Sequence, residues 1–370
     1  MSSPHLKVLT LIPYKVFPAN MGGQKGIALF YKYLSDIVTL EAMGVNTNQS
    51  QEKYPVHSIM GHTGFRYINP LQFFKILRIA RRFNPDILVF EHPYFAWLLQ
   101  LFKWFTKYTL VVHSHNIESE RFRSTGKWWW KILWYYERWA YQTADKVWFK
   151  TKEDQHYAFQ HFSVDHERTQ VVPYGTEQEA PPDISKRTRA KLELCKLYGC
   201  TPETKILFFN GTLNYPPNLK ALQVILDELN PRLLESGLNY NIIICGKNLP
   251  DEMNALKEYE SQHVHYAGFV ESIEPYFLAT DIFLNPVEDG GGIKTKLVEA
   301  LGYGNNVVSY RSGAFGVDPA LCGGQLVVVP DGDVMSLYLE IERFINTSGN
   351  KGHCQYYSHY CWKNIVRQIV

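Results

Sequence analysis

In "DIFLNPVEDGGGIKTKLVEA" (residues 281–300) a short apolar run stops at Pro286, three glycines follow, and a helical pattern begins near Lys294. Strand, tight loop and helix make half of a βαβ unit. Glycines from 290 to 292 let the backbone bend sharply and approach a ligand without Cβ interference. The helix start offers unpaired N–H groups and the positive end of its dipole. Lys294 and Lys296 add full charge at a place that normally favours acids, so the position calls for an anion, and a phosphate or diphosphate fits. Glu299 lies three residues after Lys296 on about the same helical face. A carboxylate at that depth can accept two hydrogen bonds from a vicinal diol, such as a ribose beside a diphosphate. The competing reading is an ordinary glycine-rich turn with solvated lysines; the strand ending at Pro286 argues against it.

The same grammar runs outward in both directions. Towards the N-terminus, apolar runs at 6–12, 36–40, 85–90, 108–116 and 145–150 alternate with helical patterns at 25–35 and 71–83, with Gly22 and Gly23 in the first loop. The alternation pauses in "VVPYGTEQEAPPDISKR" (171–187), a linker by its Pro and Glu content. It restarts with strands at 205–211, 239–246, 263–269, 281–286, 305–310 and 325–330, separated by helices at 218–229, 252–260, 273–279, 294–302 and 333–345. Alternating strands and helices argue for parallel sheets. Several strands finish in Gly, Asn or Pro, where doubly wound sheets place their ligand loops. The predicted fold is α/β: two Rossmann-like domains facing a cleft, spanning 1–180 and 181–352. A helix over 353–370 closes the chain and packs back towards the first domain.

Composition limits the function classes. The 370 residues suit two domains, and 45% hydrophobic with 20% charged residues is a globular composition. Lys plus Arg (38) nearly balances Asp plus Glu (36), so bulk nucleic-acid binding is not expected and any anion site is local. Six scattered cysteines without CxxC spacing read as reduced thiols of a cytosolic protein. No run of 18 apolar residues predicts a membrane span, and the opening residues read as a first strand, not a signal peptide. Aromatics reach 15% and cluster in "HPYFAWLLQLFKWFTKY" (92–108) and "KWWWKILWYYERWAY" (127–141). Two readings stay open there: core-facing helices, or a membrane-surface face in which Lys103, Lys107, Lys127, Lys131 and Arg138 interleave with the rings.

Four segments, "VVPYGT", "FFNGTLNYPPN", "AGFVESIEPYFLATDIFLNP" and "DIFLNPVEDGGGIKTKLVEALGYGNNVVS", occur in the order found in one group of enzymes. Together they resemble the nucleotide-sugar glycosyltransferases of the GT-B fold, and most closely the retaining family 4 (group 1) type. The resemblance spans nearly the whole chain and is strongest from 171 to 330. It implies that Glu299 binds the ribose and that Lys296 or Lys294 meets the diphosphate, beside Gly291, Gly292 and Ile293. Gly211 and Thr212 match the donor-lining loop after the first strand of the second domain. Gly22 and Gly23 match the N-terminal glycine loop. His115 in "HSHNIESERFR" matches a histidine close to the transferred sugar and is the candidate catalytic residue, as an orienting hydrogen-bond partner; Asn116 and Glu118 share its loop.

The sequence departs from that pattern in two places. Eight positions before Glu299, where the family carries a first glutamate, stands Gly291, with Glu288 and Asp289 the nearest acids. The Arg and Lys common after the Gly211-type loop are absent from "TLNYPPNLK". His113 and His115 straddle one residue; strand alternation is expected to bring only one of them to the ligand, and His115 is favoured. Asp333 in "DGD" (331–333) reads as a helix N-cap, not a metal ligand. The implied activity is transfer of a hexosyl unit from a nucleoside-diphosphate sugar to the hydroxyl of a glycan, glycolipid or other acceptor. Retention, no cofactor and no metal are expected, with a role in glycan or polysaccharide biosynthesis. The implied location is cytoplasmic, with peripheral contact at the inner membrane face under the second reading of the aromatic helices. A GT-B protein that binds nucleotide or glycan without transfer and a nucleotide-sugar epimerase are the alternatives.

Overall fold

The computed structural model describes residues 6–19, 22–289, 291–347 and 354–369. The chain divides into two compact units, Met1–Gly175 with Trp362–Val370, and Thr176–Cys361. Each is a parallel sheet wrapped by helices, so two Rossmann-like domains of the GT-B type are present.

The first unit has strands β1 (Lys7–Leu11), β2 (Thr39–Val45), β3 (Val56–Met60), β4 (Ile87–Glu91), β5 (Thr109–Ser114), β6 (Lys146–Phe149) and β7 (Thr169–Val171). Their order is β3-β2-β1-β4-β5-β6-β7, and all pairs are parallel. Buried on both faces, the central strands carry continuous apolar runs such as "ILVFE", where a half-exposed strand would alternate. Helices α1 (Gly22–Leu34), α2 (Leu71–Phe83), α3 (Ala96–Phe105), α4 (Glu118–Ser124), α5 (Trp130–Thr143) and α6 (Lys152–Phe162) cover the sheet. Leu98, Leu99 and Phe102 of α3 and Ile76 of α2 pack with Leu88, Phe90, Leu110 and Val112 of the central strands. Thr151 caps α6 by accepting the Asp154 backbone N–H at 3.0 Å.

The second unit repeats the plan with α7 (Ile184–Leu197), β8 (Lys205–Thr212), α8 (Pro216–Gln223), α9 (Asn230–Glu235), β9 (Tyr240–Lys247), β10 (Val264–Gly268), α10 (Glu274–Ala279), β11 (Ile282–Asn285), α11 (Thr295–Gly302), β12 (Asn306–Tyr310), β13 (Leu326–Val329), α12 (Val334–Asn346) and α13 (Cys354–Tyr360). Its order, β10-β9-β8-β11-β12-β13, is again parallel throughout. In both sheets the order reverses between the first and fourth strands: β1/β4 and β8/β11. A doubly wound sheet opens its ligand crevice at that switch point, beyond the strands' carboxyl ends.

Several local expectations change. The strand expected at 36–40 starts at Thr39, because residues up to Leu34 continue α1. The stretch read as a linker from 171 to 187 begins inside β7 and ends inside α7, a mostly exposed helix burying only Ala190, Leu194 and Cys195. The helix expected at 252–260 is a 3₁₀ segment whose residues Asn254, Ala255 and Leu256 adopt left-handed φ. The closing segment is two short helices, not one. α13 belongs to the second unit, where Tyr356 and Tyr357 donate to the carbonyls of Val298 (2.6 Å) and Gly302 (3.0 Å). A fourteenth helix, α14 (Trp362–Arg367), belongs to the first, with Trp362 fully buried beside Tyr174 and Phe30. A Cβ on Gly175 would lie 2.7 Å from that indole, so glycine is needed there. Asp333 does cap α12, accepting the Ser336 N–H at 3.0 Å.

Candidate active site

At the switch point of the second unit, β8 ends in Asn210, Gly211 and Thr212, and β11 feeds the glycine loop before α11. Gly290 of that loop lies outside the described residues; Gly292 has φ +73°, a left-handed conformation suited to glycine. Lys296, two residues into α11, turns towards β8. Its Nζ donates to the Asn210 carbonyl and to Asn218 Oδ1, both at 3.1 Å, and sits 4.3 Å from the centre of the Phe209 ring. Those bonds use two of its three N–H groups. Asn218 in turn donates to the Thr212 carbonyl at 3.1 Å. Gly211 makes room for this: a Cβ there would lie 2.7 Å from the Asn218 amide nitrogen. Lys294 is the N-cap of α11, with Nζ donating to the Gly292 carbonyl at 3.1 Å.

Burial brings the Lys294 ammonium down to about 8, against the pull of Asp289. Burial, then the charge of Lys294, brings Lys296 down to about 7. Two cations held close together at a helix N-terminus disfavour each other, and an anion between them would relieve both. Glu299 lies half-buried one turn deeper in α11. Of the acids near Gly291, Glu288 is ion-paired to Lys220, and Asp289 is exposed.

The switch point of the first unit is built from acids and histidines. Glu91, the last residue of β4, is fully buried. It accepts hydrogen bonds from Tyr31 Oη (2.5 Å), His113 Nδ1 (2.9 Å) and His115 Nε2 (2.5 Å), while Tyr31 accepts from Thr10 Oγ1 at 2.6 Å. Only one of the two histidines was expected here. Residues i and i+2 share a face of a strand, so His113 and His115 both reach the same carboxylate. Burial opposes charge on Glu91, but the two histidines hold its carboxyl well below the ordinary value. Burial lowers His113 to about 4 and, with His92, depresses His115. Glu91 is therefore ionised and both imidazoles neutral. His115 gives its N–H to Glu91, which leaves Nδ1 as an acceptor. Behind them Lys150 is buried over the Phe30 and Trp362 rings, and burial brings it down to about 8.

A second carboxylate–imidazole pair lies alongside. His92 Nδ1 is 3.1 Å from Glu118 Oε1 and its Nε2 accepts from Tyr14 Oη at 2.8 Å. Its ring stacks on His115 with centroids 4.4 Å apart. Glu118 also accepts from Arg121 Nε at 2.8 Å; burial notwithstanding, His92 and Arg121 bring it down to about 2. Glu137 of α5 caps α4, accepting the N–H groups of Glu118 (2.8 Å) and Ser119 (2.9 Å). Burial pushes Glu137 up to about 7.

Gly23, His115, Asn116 and Glu118 line one pocket of about 710 Å³ within the first unit, a size that suits a small-molecule ligand. Gly22 is the first residue of α1, next to it in the chain. Another cavity, about 400 Å³, touches Lys205, Ile282 and Asn306 where the second sheet's strands begin, the edge opposite its ligand crevice. The ligand atoms of Glu91, His113 and His115 lie within 4.8 Å of one another, close enough to share a cation. In the structure His113 Nδ1 and His115 Nε2 are both given to hydrogen bonds with Glu91.

The aromatic helices face the core on one side and solvent on the other. α3 buries Leu98, Leu99 and Phe102 but exposes Trp104 and Phe105. α5 buries Glu137, Ala140 and Tyr141 and exposes Ile132 and Tyr135. Among the described residues no helix is long and apolar enough to cross a membrane.

Sequence reasoning missed Glu91, His92, Tyr14, Tyr31 and Arg121. One signal was available: "FEHP" (90–93) ends a buried strand with an acid and a histidine.

Comparison with known proteins bears on the fold and on the family of each half. Residues 204–347 match the family "Glycosyl transferases group 1", and residues 36–179 match "Glycosyltransferase Family 4". No curated protein matches. Among solved structures the chain is similar to sucrose-phosphate synthase from Thermosynechococcus elongatus (12% identity, 98% of this chain and 97% of that one, TM-score 0.73). It is also similar to HepE from Anabaena in complex with UDP (17%, 98% of each chain, 0.72). A third is WaaG, a glycosyltransferase involved in lipopolysaccharide biosynthesis (13%, 98% and 94%, 0.63).

Proposed function

We propose that this chain, with a glycosyltransferase-family domain in each half, moves a hexosyl unit from a nucleoside-diphosphate sugar to an acceptor hydroxyl, with retention. One observation carries the reading: Lys294 and Lys296, both depressed by burial, at the start of α11 where the second sheet opens. The similar HepE structures hold UDP and UDP-glucose, which supports a nucleotide-sugar donor. In this reading the two ammonium groups and the α11 N-terminus stabilise the diphosphate charge that grows as the glycosidic bond breaks. Gly211, Thr212, Gly291, Gly292 and Ile293 let the backbone come close to it, and Glu299 holds the ribose. In the first unit, Gly22 and Gly23 open the loop side of the site. His115, its tautomer set by Glu91, offers Nδ1 as a hydrogen-bond acceptor to a hydroxyl. No metal is required, so activity should withstand EDTA.

The test is nucleoside-diphosphate release from a panel of UDP-, GDP- and ADP-sugars, with titration calorimetry of the free nucleotides. Lys296→Ala and Glu299→Ala should each lower turnover about a hundredfold. Near-wild-type turnover in either would refute the site. Gly291, standing where the family has an acid, favours one other outcome, nucleotide binding without turnover; an isomerised sugar would indicate an epimerase.

A further inference from the structure

Helix α7 ends in "CKLYGC" (195–200). Tyr198 is its C-cap, Gly199 turns left-handed at φ +64°, and the Cys200 N–H donates back to the Cys195 carbonyl at 2.9 Å. A helix that stops in this way brings the side chain of its third-last residue against the second residue beyond its cap. Here both residues are cysteines. The bond lengths on either side of that hydrogen bond limit the Cα separation to about 6.8 Å, inside the range that a disulfide spans. The two thiols lie within hydrogen-bond reach of each other, and the Cys195 S–H donates to the Thr201 carbonyl at 3.2 Å. Both are free in the structure.

The pair is asymmetric. Cys195 is one of the three α7 residues that face the core, and burial, with Cys200 beside it, pushes its thiol up to about 11. Cys200 is partly exposed, between an exposed Gly199 and the exposed residues Thr201, Pro202 and Glu203. A reagent in solution therefore meets Cys200 first, and Cys195 is reached only from its neighbour. By contrast Cys245, Cys322 and Cys361 are all buried. The helix that carries the pair has few core contacts of its own, and Lys191, one turn earlier, ties it to the sheet through Asp281 at 2.8 Å. A covalent ring across its last turn would keep that end from fraying.

We propose that Cys195 and Cys200 form a thiol–disulfide modification site, closed by low-molecular-weight disulfides and opened by dithiols while the second unit stays folded. In the closing direction Cys200 gives up its proton and its thiolate attacks one sulfur of the external disulfide RSSR. The Cys200–SR bond forms, the S–S bond of RSSR breaks, and RS⁻ leaves, taking up a proton as RSH. Cys195 then loses its proton, attacks the Cys200 sulfur and expels the second RS⁻, again as RSH. Two cysteines are oxidised and one RSSR is reduced to two thiols, so electrons and protons balance.

The test is to incubate the full chain with glutathione disulfide under native conditions, quench with acid and map the cysteines by mass spectrometry. The wild type should form the Cys195–Cys200 disulfide. Cys195→Ala should halt at a glutathione adduct on Cys200, and Cys200→Ser, a change at a partly exposed position, should leave Cys195 unmodified. The oxidised wild type should take up deuterium more slowly over residues 194–201 and melt about 5 °C higher, and dithiothreitol should reverse both changes. A wild type that stays unmodified or halts at the adduct, modification of Cys195 in Cys200→Ser, or a disulfide that speeds deuterium uptake or lowers the melting temperature overturns the proposal.

Discussion

The two sheets share one strand order and place their crevices at the same topological point, yet they treat charge in opposite ways. In the first unit every acid at the switch point is answered locally: Glu91 by two histidines and Tyr31, Glu118 by His92 and Arg121. In the second, Lys294 and Lys296 crowd a helix N-terminus, and each is pulled down by burial. A crevice whose carboxylates are held in hydrogen bonds to histidines, tyrosine and arginine suits hydroxyl recognition, whereas a cationic one suits a diphosphate. Topology thus fixes where a ligand goes, and side-chain charge fixes which ligand.

Removing the buried carboxylate that gathers these hydrogen bonds is the sharpest way to break the contrast. Glu91→Gln leaves two buried imidazoles and Tyr31 competing for one amide oxygen, and should cost about 2–3 kcal/mol of stability. Thermal unfolding would read this as a fall in Tm; an unchanged Tm would mean that the cluster does not stabilise the first unit.

The pH responses should separate the units next. His113 has a folded pKa of about 4 against an unfolded value near 6.5, so its contribution is intact above pH 6.5 and is lost as pH falls towards 4. Glu91, also depressed, loses stability in the same acid direction. In the second unit the lysines lose their protons as pH rises through about 7 and 8. UDP affinity should therefore weaken, by about tenfold, between pH 6.5 and 9. Calorimetric binding across that range checks the second half of the contrast, and urea melts below pH 6.5 check the first. An affinity that is flat in pH would show that the lysines do not meet the diphosphate.

Gly211→Ala sharpens the picture with a smaller effect. The added Cβ would push the Asn218 amide off the Thr212 carbonyl and loosen the partner of Lys296. Overpacking of this kind should cost about 1–2 kcal/mol and weaken UDP binding severalfold. Wild-type UDP affinity in this variant would remove Gly211 from the donor site.

What the sequence made legible was local. Lys294, Lys296 and Gly211 sit in strand–loop–helix units whose pattern is contiguous, and the apolar runs of β8, β9, β11 and β12 mark a parallel sheet directly. β3 escaped notice because an edge strand, here "VHSIM", is half exposed and mixed in polarity. α7 hid in a polar stretch, since only three of its residues face the core. The 3₁₀ segment passed for a helix because nothing in "NAL" announces left-handed φ. Glu91, Tyr14 and Tyr31 belong to a site only after β1, β4, β5 and α1 have assembled, and no spacing in a single chain encodes that meeting. His113 was set aside against the period-two geometry of its own strand.

Trp362, buried in the first unit against Tyr174 and Phe30, is made only after the entire second unit has been synthesised. During translation the leading domain must therefore wait with a gap over Lys150 and Gly175, holding an unfinished apolar face until the ribosome has delivered nearly everything else. Domain-by-domain maturation, the usual route for a chain of this length, therefore ends only with the last helix, and a ribosome that stalls after residue 350 releases two domains of which neither is complete.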